Sequence, residues 1–419
     1  MNQTALLKLQ NRPVAADENC PTGVALSICS STAGSRVVRS CRTIRLATHS
    51  LRLATRSLRL TATRALRLAA LAPHFTRLTV ALTLALMLGF PAARAQDPGF
   101  SQFFASPLTL NPALTGKFNG VVRVAGNYRN QWPAINNAFI TSTVSVDAPI
   151  LTNRLPENDV WGIGIMAMSD KTADGILNSN YVSLSTAYHK ALDIDGYHQI
   201  GVGFQGTYGN QSLDGTRLHF EDQLRLDGSW LPVSPSEPIS SEFISVHYFD
   251  MNLGVLYNAS TTGNNNFYIG ASAYHLNHPK VSFLGVDTIN IPTRITLHGG
   301  GFFPIQGSPS TIYVSALFNN QAGAREYVFG GAWAVAASAD EQYPVNFYAG
   351  AWGRFTNNTT DAIIPYVGLD YGDFSLGVTY DVNVSSLSTA SQSRGGVEIS
   401  LIYIKKKGNG QHGIPCPRF

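Results

Sequence analysis

Beyond residue 95 the chain has one cysteine, Cys416, because Cys20, Cys29 and Cys41 all precede that point. An intramolecular disulfide and a multi-cysteine metal site are both excluded there. The same stretch holds no apolar run of the ~18 or more residues that a spanning helix requires, so helical crossing of a membrane is excluded too. Charge is scarce at 13% of residues, and it is unevenly placed. Residues 1–95 contain 13 of the 30 Lys+Arg and only 2 of the 26 Asp+Glu, which leaves 17 basic against 24 acidic residues afterwards, a net of −7. The overall +4 belongs to the leader, and the rest offers no basic surface for nucleic acid. There is no H-E-x-x-H, no G-x-S-x-G and no paired-carboxylate motif, so the chain reads as non-enzymatic and free of cofactor and metal.

The leader has two parts. His74 to Arg77 is a short basic region, Leu78 to Phe90 an apolar core and Ala93-Arg94-Ala95 a small-x-small site. That is the pattern of an export signal cleaved before Gln96, and its apolar core is too short for a membrane anchor. The residue directly after the site is Gln96 and not cysteine, so lipoprotein processing is not indicated. Upstream, "IRLATHSLRLATRSLRLTATRALRL" is a seven-residue tandem repeat from Ile44 to Leu68. Its arginines and threonines spoil a coiled-coil seam, and a basic targeting helix is a second reading. The preferred one is a start placed too early over repetitive DNA, which removes residues 1–73 from fold reasoning.

After Asn119 extended segments recur between Gly, Asn, Asp and Pro, among them "AFITSTVSV" (Ala138 to Val146), "FDMNLGVLY" (Phe249 to Tyr257) and "GGVEISLIYI" (Gly395 to Ile404). In "IGVGFQGTY", Ile200, Val202, Phe204 and Tyr208 share one face while Gln205 and Thr207 share the other, a period of two. Fourteen such segments, from 119–129 to 393–404, are each about the length of a tilted membrane strand. An even number puts both ends of a closed barrel on one side. Short turns such as 192–196, 261–265 and Gly372 then fall on that side, and the long connections 210–248 and 277–292 on the other. The connection 147–159 is long for its side. A soluble sandwich shows the same alternation. The export signal and the Tyr and Trp near strand ends (Trp132, Trp161, Tyr268, Trp352, Tyr371, Tyr403) favour a barrel in lipid with an aromatic girdle.

Two stretches imitate enzyme motifs. "GVGFQG" (Gly201 to Gly206) matches a dinucleotide fingerprint but sits in an alternating strand with no helix after it, and "HGGG" (His298 to Gly301) lacks a nucleophile elbow. Both are expected to be strand. His189, His219, His275 and His298 are scattered without a spaced Ser/Asp or His/Glu partner. Lys405-Lys406-Lys407 reads first as a solvated edge, and second as a contact for a partner.

In "RVAGNYRNQWPA" the odd positions Arg123, Asn127 and Arg129 share one strand face, with Val122, Val124 and Tyr128 on the other. A charge toward lipid costs ~2–4 kcal/mol at the midplane, which assigns those three to the lumen, together with Asp147.

The segments Asp97-Pro98, Phe100-Ser101-Gln102, Leu110-Asn111-Pro112-Ala113-Leu114-Thr115-Gly116 and Asn127-Tyr128-Arg129-Asn130-Gln131-Trp132-Pro133 resemble the PorP/SprF family of type IX secretion outer-membrane proteins of the Bacteroidota. "CPRF" (Cys416 to Phe419) is similar to the family's tail, so the resemblance spans residues 96–419. It implies an outer-membrane β-barrel, embedded in outer-membrane lipid, that serves secretion or surface attachment. The implied partners are secreted surface proteins with a type IX C-terminal signal, gliding-associated adhesins among them, and for some members a periplasmic peptidoglycan-associated protein. Alternatives are a porin or hydrophobic-solute channel, and a structural barrel that tethers the envelope.

The expected organisation is leader 1–73, export signal 74–95, irregular segment 96–118, all-β transmembrane barrel of about fourteen strands over 119–404, and periplasmic tail 405–419. Pro107 and Pro112 deny residues 96–118 a regular ladder, and Phe103, Phe104, Leu108 and Leu110 need burial. The segment is therefore expected to fold against or into the periplasmic mouth, its backbone received by groups such as Arg123 and Asp147.

Overall fold

In the computed structural model the residues described are 96–406, apart from 136, 226, 231–242, 262–264, 286–288, 339–343 and 358. The leader 1–73, the export signal 74–95 and the tail 407–419 lie outside them. Fourteen strands form a closed antiparallel barrel in which each pairs with its neighbours in sequence and the first pairs with the last. They are β1 (Val122–Gln131), β2 (Phe139–Ile150), β3 (Val160–Thr172), β4 (Leu177–Ala191), β5 (His198–Asp214), β6 (Phe243–Ala259) and β7 (Asn266–Tyr274). The circuit continues with β8 (Arg294–Pro304), β9 (Ser310–Gln321), β10 (Ala324–Ser338), β11 (Val345–Thr356), β12 (Thr359–Tyr371), β13 (Phe374–Asn383) and β14 (Arg394–Lys405). Closure runs from Val122 opposite Lys405 to Gln131 opposite Gly396. Both ends of the barrel wall therefore lie at one mouth, termed here the near mouth.

The distribution of polarity is inverted relative to a soluble protein. Outward positions carry Val144, Ile165, Leu184, Val202, Phe204, Ile269 and Leu401, all exposed, while Thr143, Ser183, Gln205, Asn252, Thr379 and Glu398 are buried. A sandwich would bury its apolar face, so this wall is built for lipid outside and for polar contacts within. No helix among the described residues is long and apolar enough to cross a membrane. The spans are strands, and closure pairs their backbone groups without a free edge.

Three expectations need adjustment. Strand lengths range from 9 residues in β7 to 17 in β5 and β6, beyond the ~9–11 of a minimal span. The connection expected over 210–248 shrinks to 215–242 because the ladder continues to Asp214 opposite Phe243. Backbone pairing does not need apolar alternation once the strands have left the hydrocarbon. The girdle also loses two members: Tyr268 and Trp352 are buried inward, at 4% and 2% exposure. Their even positions place them on the lumen face of β7 and β11. Both proximity to a strand end and parity had to be read, and parity governs.

Candidate functional site

The lumen is filled by the chain's own residues. Proline at 107 and 112 fixes φ and removes an amide donor, so the segment before β1 forms three short helical turns, Phe103–Ala105, Pro107–Leu110 and Pro112–Leu114, joined by extended residues. This segment is irregular, as expected. It extends beyond the near mouth, running the whole way from the far mouth, where Asp97 meets Gln321 at the end of β9, down to Phe118 and Gly120 beside Ile404 and Lys405 of β14. Without a ladder of its own, its backbone groups must find partners on the wall.

Those partners come in layers. At the far mouth the Asp97 carboxylate faces Gln321 Nε2 at 3.0 Å, His275 Nε2 at 2.7 Å and Arg294 at 3.2 Å. One layer down, the amides of Ser101 and Gln102 donate to the two oxygens of Glu398, at 2.7 and 2.9 Å. Ser101 Oγ donates to Asp381 Oδ2, which also pairs with Arg354 at 2.8 Å and Arg129 at 3.1 Å. Arg129 in addition donates to the Gly99 carbonyl. Mid-lumen, the carbonyls of Leu108, Thr109 and Leu110 accept from Gln205 and Tyr274, from Arg294, and from Ser272.

Toward the near mouth, Asn111 is the pivot. Its Oδ1 accepts from the Ala113 amide at 2.8 Å, capping the third turn, and its Nδ2 donates to the Val255 carbonyl at 3.0 Å and lies 2.9 Å from His298 Nε2. Gly116 has φ +71° and donates to Asp147 Oδ2 at 2.7 Å; a Cβ there would sit 2.5 Å from Gly162 Cα. Arg123 grips the same carboxylate through two nitrogens, at 2.9 and 2.8 Å, while donating to the Leu114 carbonyl at 3.0 Å. Lys117, fully buried, donates to Gln199. The apolar side of the segment packs on the opposite wall, with Phe104 5.0 Å from Trp352 and 5.8 Å from Tyr366 between ring centroids.

The residues singled out from sequence fall as follows. Phe100, Ser101, Gln102 and every residue from Leu110 to Gly116 are buried in the inner segment. Arg123, Asn127, Arg129 and Asp147 are buried on the inward face, and Tyr128 is 43% exposed outside. Gln131 ends β1, and Trp132 turns the chain with φ 55°, its ring edge-on to Phe139. Glu398, Asp381, Arg354 and Arg294 are not among the residues read from sequence, although each is a charge on an inward position, and Asp97 enters there only within the Asp97-Pro98 resemblance. Parity plus charge, the argument applied to Arg123, would have found the first three. His275 has carboxylates on both sides, Asp97 and Asp250, the latter 3.0 Å from Nδ1. Their separation in sequence hid that grouping.

The Arg123–Asp147 pair holds the inner segment's last turn. Removing one member of a buried, hydrogen-bonded pair costs about 3–5 kcal/mol because the other charge is stranded. Asp147→Ala should therefore destabilise the barrel by that amount in a denaturant titration, and Asp147→Ala with Arg123→Met should recover part of it. Equal losses for single and double variants would deny the pair its role.

The far latch depends on pH through Asp97 and His275, both of which lie outside the strands. Burial works to raise the Asp97 carboxyl, yet Arg294 first, then His275 and Gln321, hold it far below the usual carboxylate range. Burial lowers His275, but the carboxylates of Asp250 and Asp97 outweigh it and push it up to about 9. The histidine's contribution is complete below its ordinary 6.5 and is lost as pH rises through about 9. The contribution of Asp97 is present above its ordinary 3.8 and is lost as pH falls below it. A fluorophore on Gln96→Cys, in a Cys416→Ser background, should stay immobile between roughly pH 4 and 9 and gain mobility above that window. His275→Asn should abolish the alkaline transition; its persistence would assign the change to another group.

A closed, lipid-facing β-barrel whose lumen holds its own N-terminal segment defines the class: a transmembrane barrel of the outer-membrane type. Residues 92–403 match the family described as type IX secretion system membrane protein PorP/SprF, and the chain belongs to it. It is thus an outer-membrane component of that secretion system. Among solved structures it is similar to a Pseudomonas aeruginosa FadL homologue, at 11% identity and TM-score 0.36, covering 70% of this chain and 92% of that one. The CymD monoaromatic hydrocarbon channel is similar at 11% identity and TM-score 0.38, covering 74% and 95%. BamA from Haemophilus ducreyi lacking POTRA domains 1–3 is similar at 9% identity and TM-score 0.37, covering 68% and 70%. Overlaps this shallow carry no argument about ligand or partner. Among curated proteins no match was found.

Proposed function

We propose that the chain acts in secretion or surface attachment of partner proteins that bear a type IX C-terminal signal, as a sealed docking barrel. The observation that supports this best is the filled lumen. A conduit for cargo or solute needs a free bore, whereas here layer after layer of wall side chains is engaged with residues 97–118. Function then rests with the two mouths. The near mouth, where the wall begins and ends, faces the periplasm, and the far mouth, with the connections 215–242 and 275–293, faces outward. The role is non-catalytic, and gliding-associated adhesins are among the cargo classes it fits.

The test has two arms. A strain without the chain should retain signal-bearing proteins inside the cell and release or display them again on re-expression. The intact barrel in a planar bilayer should be silent; a steady open pore would favour a porin or hydrophobic-solute channel. One observation favours a second reading, a periplasmic tether: Lys405 and Lys406 are exposed at the near mouth. Pull-down of periplasmic proteins that survives Lys405→Glu with Lys406→Glu would remove that reading.

A further inference from the structure

The inner segment does not fill the lumen evenly. Its lower turns bond to the wall on one side, through Ser185 of β4, Val255 of β6 and Ser272 of β7. On the other side β9 and β11–β14 stand off from it, and a cavity of about 260 Å³ lies between, reaching the near mouth at Asp373 and Lys406. The lumen changes character here. Inward positions along β14 run Glu398, Ser400, Ile402, Ile404, from polar to apolar toward the near mouth, while Phe104, Tyr313, Tyr348 and Tyr366 bring four rings to the cavity.

The charges that line this space are already engaged with the protein. Arg123 grips Asp147, Lys117 donates to Gln199, Lys406 lies 3.9 Å from Asp373, and the Asp370 carboxylate accepts from Tyr348 Oη and Asn346 Nδ2. An ionic ligand would have to break one of these pairings, so the lining selects against net charge of either sign. One polar group differs. Tyr268 lines the cavity from β7, is 4% exposed, and its Oη has no hydrogen-bond partner among the described residues. Gly300 keeps that hydroxyl clear, since a Cβ there would lie 3.0 Å from it. Native interiors rarely leave such a group unmatched.

Size and shape narrow the class further. A cavity of about 150 Å³ accommodates one benzene ring, so about 260 Å³ matches two fused rings. The lining rings are already tilted or edge-on to one another, Tyr313 to Tyr348 at 60° and Phe104 to Tyr366 at 87°, which presents both faces and edges to a flat guest. We propose that this cavity binds a neutral aromatic molecule of two fused rings with one hydroxyl or carbonyl group, its rings among Phe104, Tyr313 and Tyr366 and its polar group on Tyr268 Oη. Such a ligand would enter from the periplasmic side and brace the inner segment on the side where the wall stands off.

The test places a thiol in the cavity and reads its protection. In a Cys416→Ser background, Ser375→Cys on the cavity wall should react readily with a maleimide in the purified barrel, and excess 2-naphthol near neutral pH should slow that reaction about tenfold or more. Naphthalene should protect with an affinity about two- to tenfold weaker, because it leaves Tyr268 Oη unmatched. Tyr268→Phe removes a hydroxyl without a partner, so it should leave the folded barrel's gel shift unchanged and bring the two affinities together. Naphthalene-2-sulfonate, with the same rings and a fixed charge, should not protect. Thr356→Cys, at the far end of β11, should react at one rate with and without 2-naphthol. Absence of protection at position 375 overturns the proposal, and the space then holds water only. A thiol there that is unreactive without ligand overturns it as well, because the cavity is then closed to the near mouth. Equal protection at position 356 would assign the effect to the surrounding amphiphile, equal protection by the sulfonate would refute the neutral class, and an unchanged affinity ratio in Tyr268→Phe would refute the role of its hydroxyl.

Discussion

Excision of Phe100 to Gly116 should convert a silent barrel into a leaking one of much lower stability. The segment buries Phe103, Leu108, Leu110 and Leu114, at 4%, 1%, 7% and 6% exposure. Full burial of such a side chain is worth ~1.5–3 kcal/mol, so four together bring roughly 6–12 kcal/mol before any hydrogen bond is counted. Area-based sums of this kind are upper values, since the unfolded chain already hides part of its surface. The polar wall moderates the loss: Glu398, Asp381, Arg123 and Asp147 would be wetted by the water that floods the lumen and would not stay dry and unpaired. A fall of about 5 kcal/mol or more is the expected result, read as earlier unfolding in denaturant and at lower temperature in a gel-shift assay. In a planar bilayer the excised barrel should show steady conductance. Unchanged stability, normal assembly and continued silence would mean that the segment is not what seals and braces the wall.

The wall was legible in the sequence and its filling was not, for a physical reason. A strand repeats every two residues, so Ile200, Val202 and Phe204 declare their face without knowledge of their neighbours. The inner segment has no period, because its turns are set by Pro107 and Pro112 and its partners lie on the wall at separations as long as that between Gln102 and Glu398, 296 residues. Composition shows only that Phe103, Phe104, Leu108 and Leu110 require cover. Tyr268 and Trp352 show where the limit falls: parity turns both inward, but that Phe104 is the ring Trp352 meets there could not be read from the strand. Charges on inward parity were a usable signal. Applied to "GGVEISLIYI" it points to Glu398, which holds two amides of the inner segment.

Gly254→Ala should be among the most damaging single-methyl additions in the chain. A Cβ at Gly254 would lie 1.8 Å from Asn111 Oδ1, and at Gly203, in the stretch that imitates a nucleotide fingerprint, 2.4 Å from the Ala113 nitrogen. Glycine on these strands is what lets the inner segment approach the backbone of the wall. Asn111 cannot rotate aside freely, because both ends of its amide are engaged, with Ala113 on one side and Val255 and His298 on the other. Overpacking a filled interior costs ~1–3 kcal/mol, and each buried polar group left without a partner adds ~1–3 kcal/mol, so a loss of about 3 kcal/mol or more is expected. Gly126→Ala supplies the control: it faces outward on β1, and its added Cβ would meet nothing nearer than 3.8 Å, so its effect should stay within about 0.5 kcal/mol. Asn111→Ala alone should cost ~1 kcal/mol as a lost cap, yet combined with Gly254→Ala it removes the clash, and the double variant should be more stable than the sum of the singles. Denaturant midpoints of the four proteins decide the matter. If Gly254→Ala behaves like Gly126→Ala, the segment does not press on the wall at Asn111, and the sealed lumen loses its central contact.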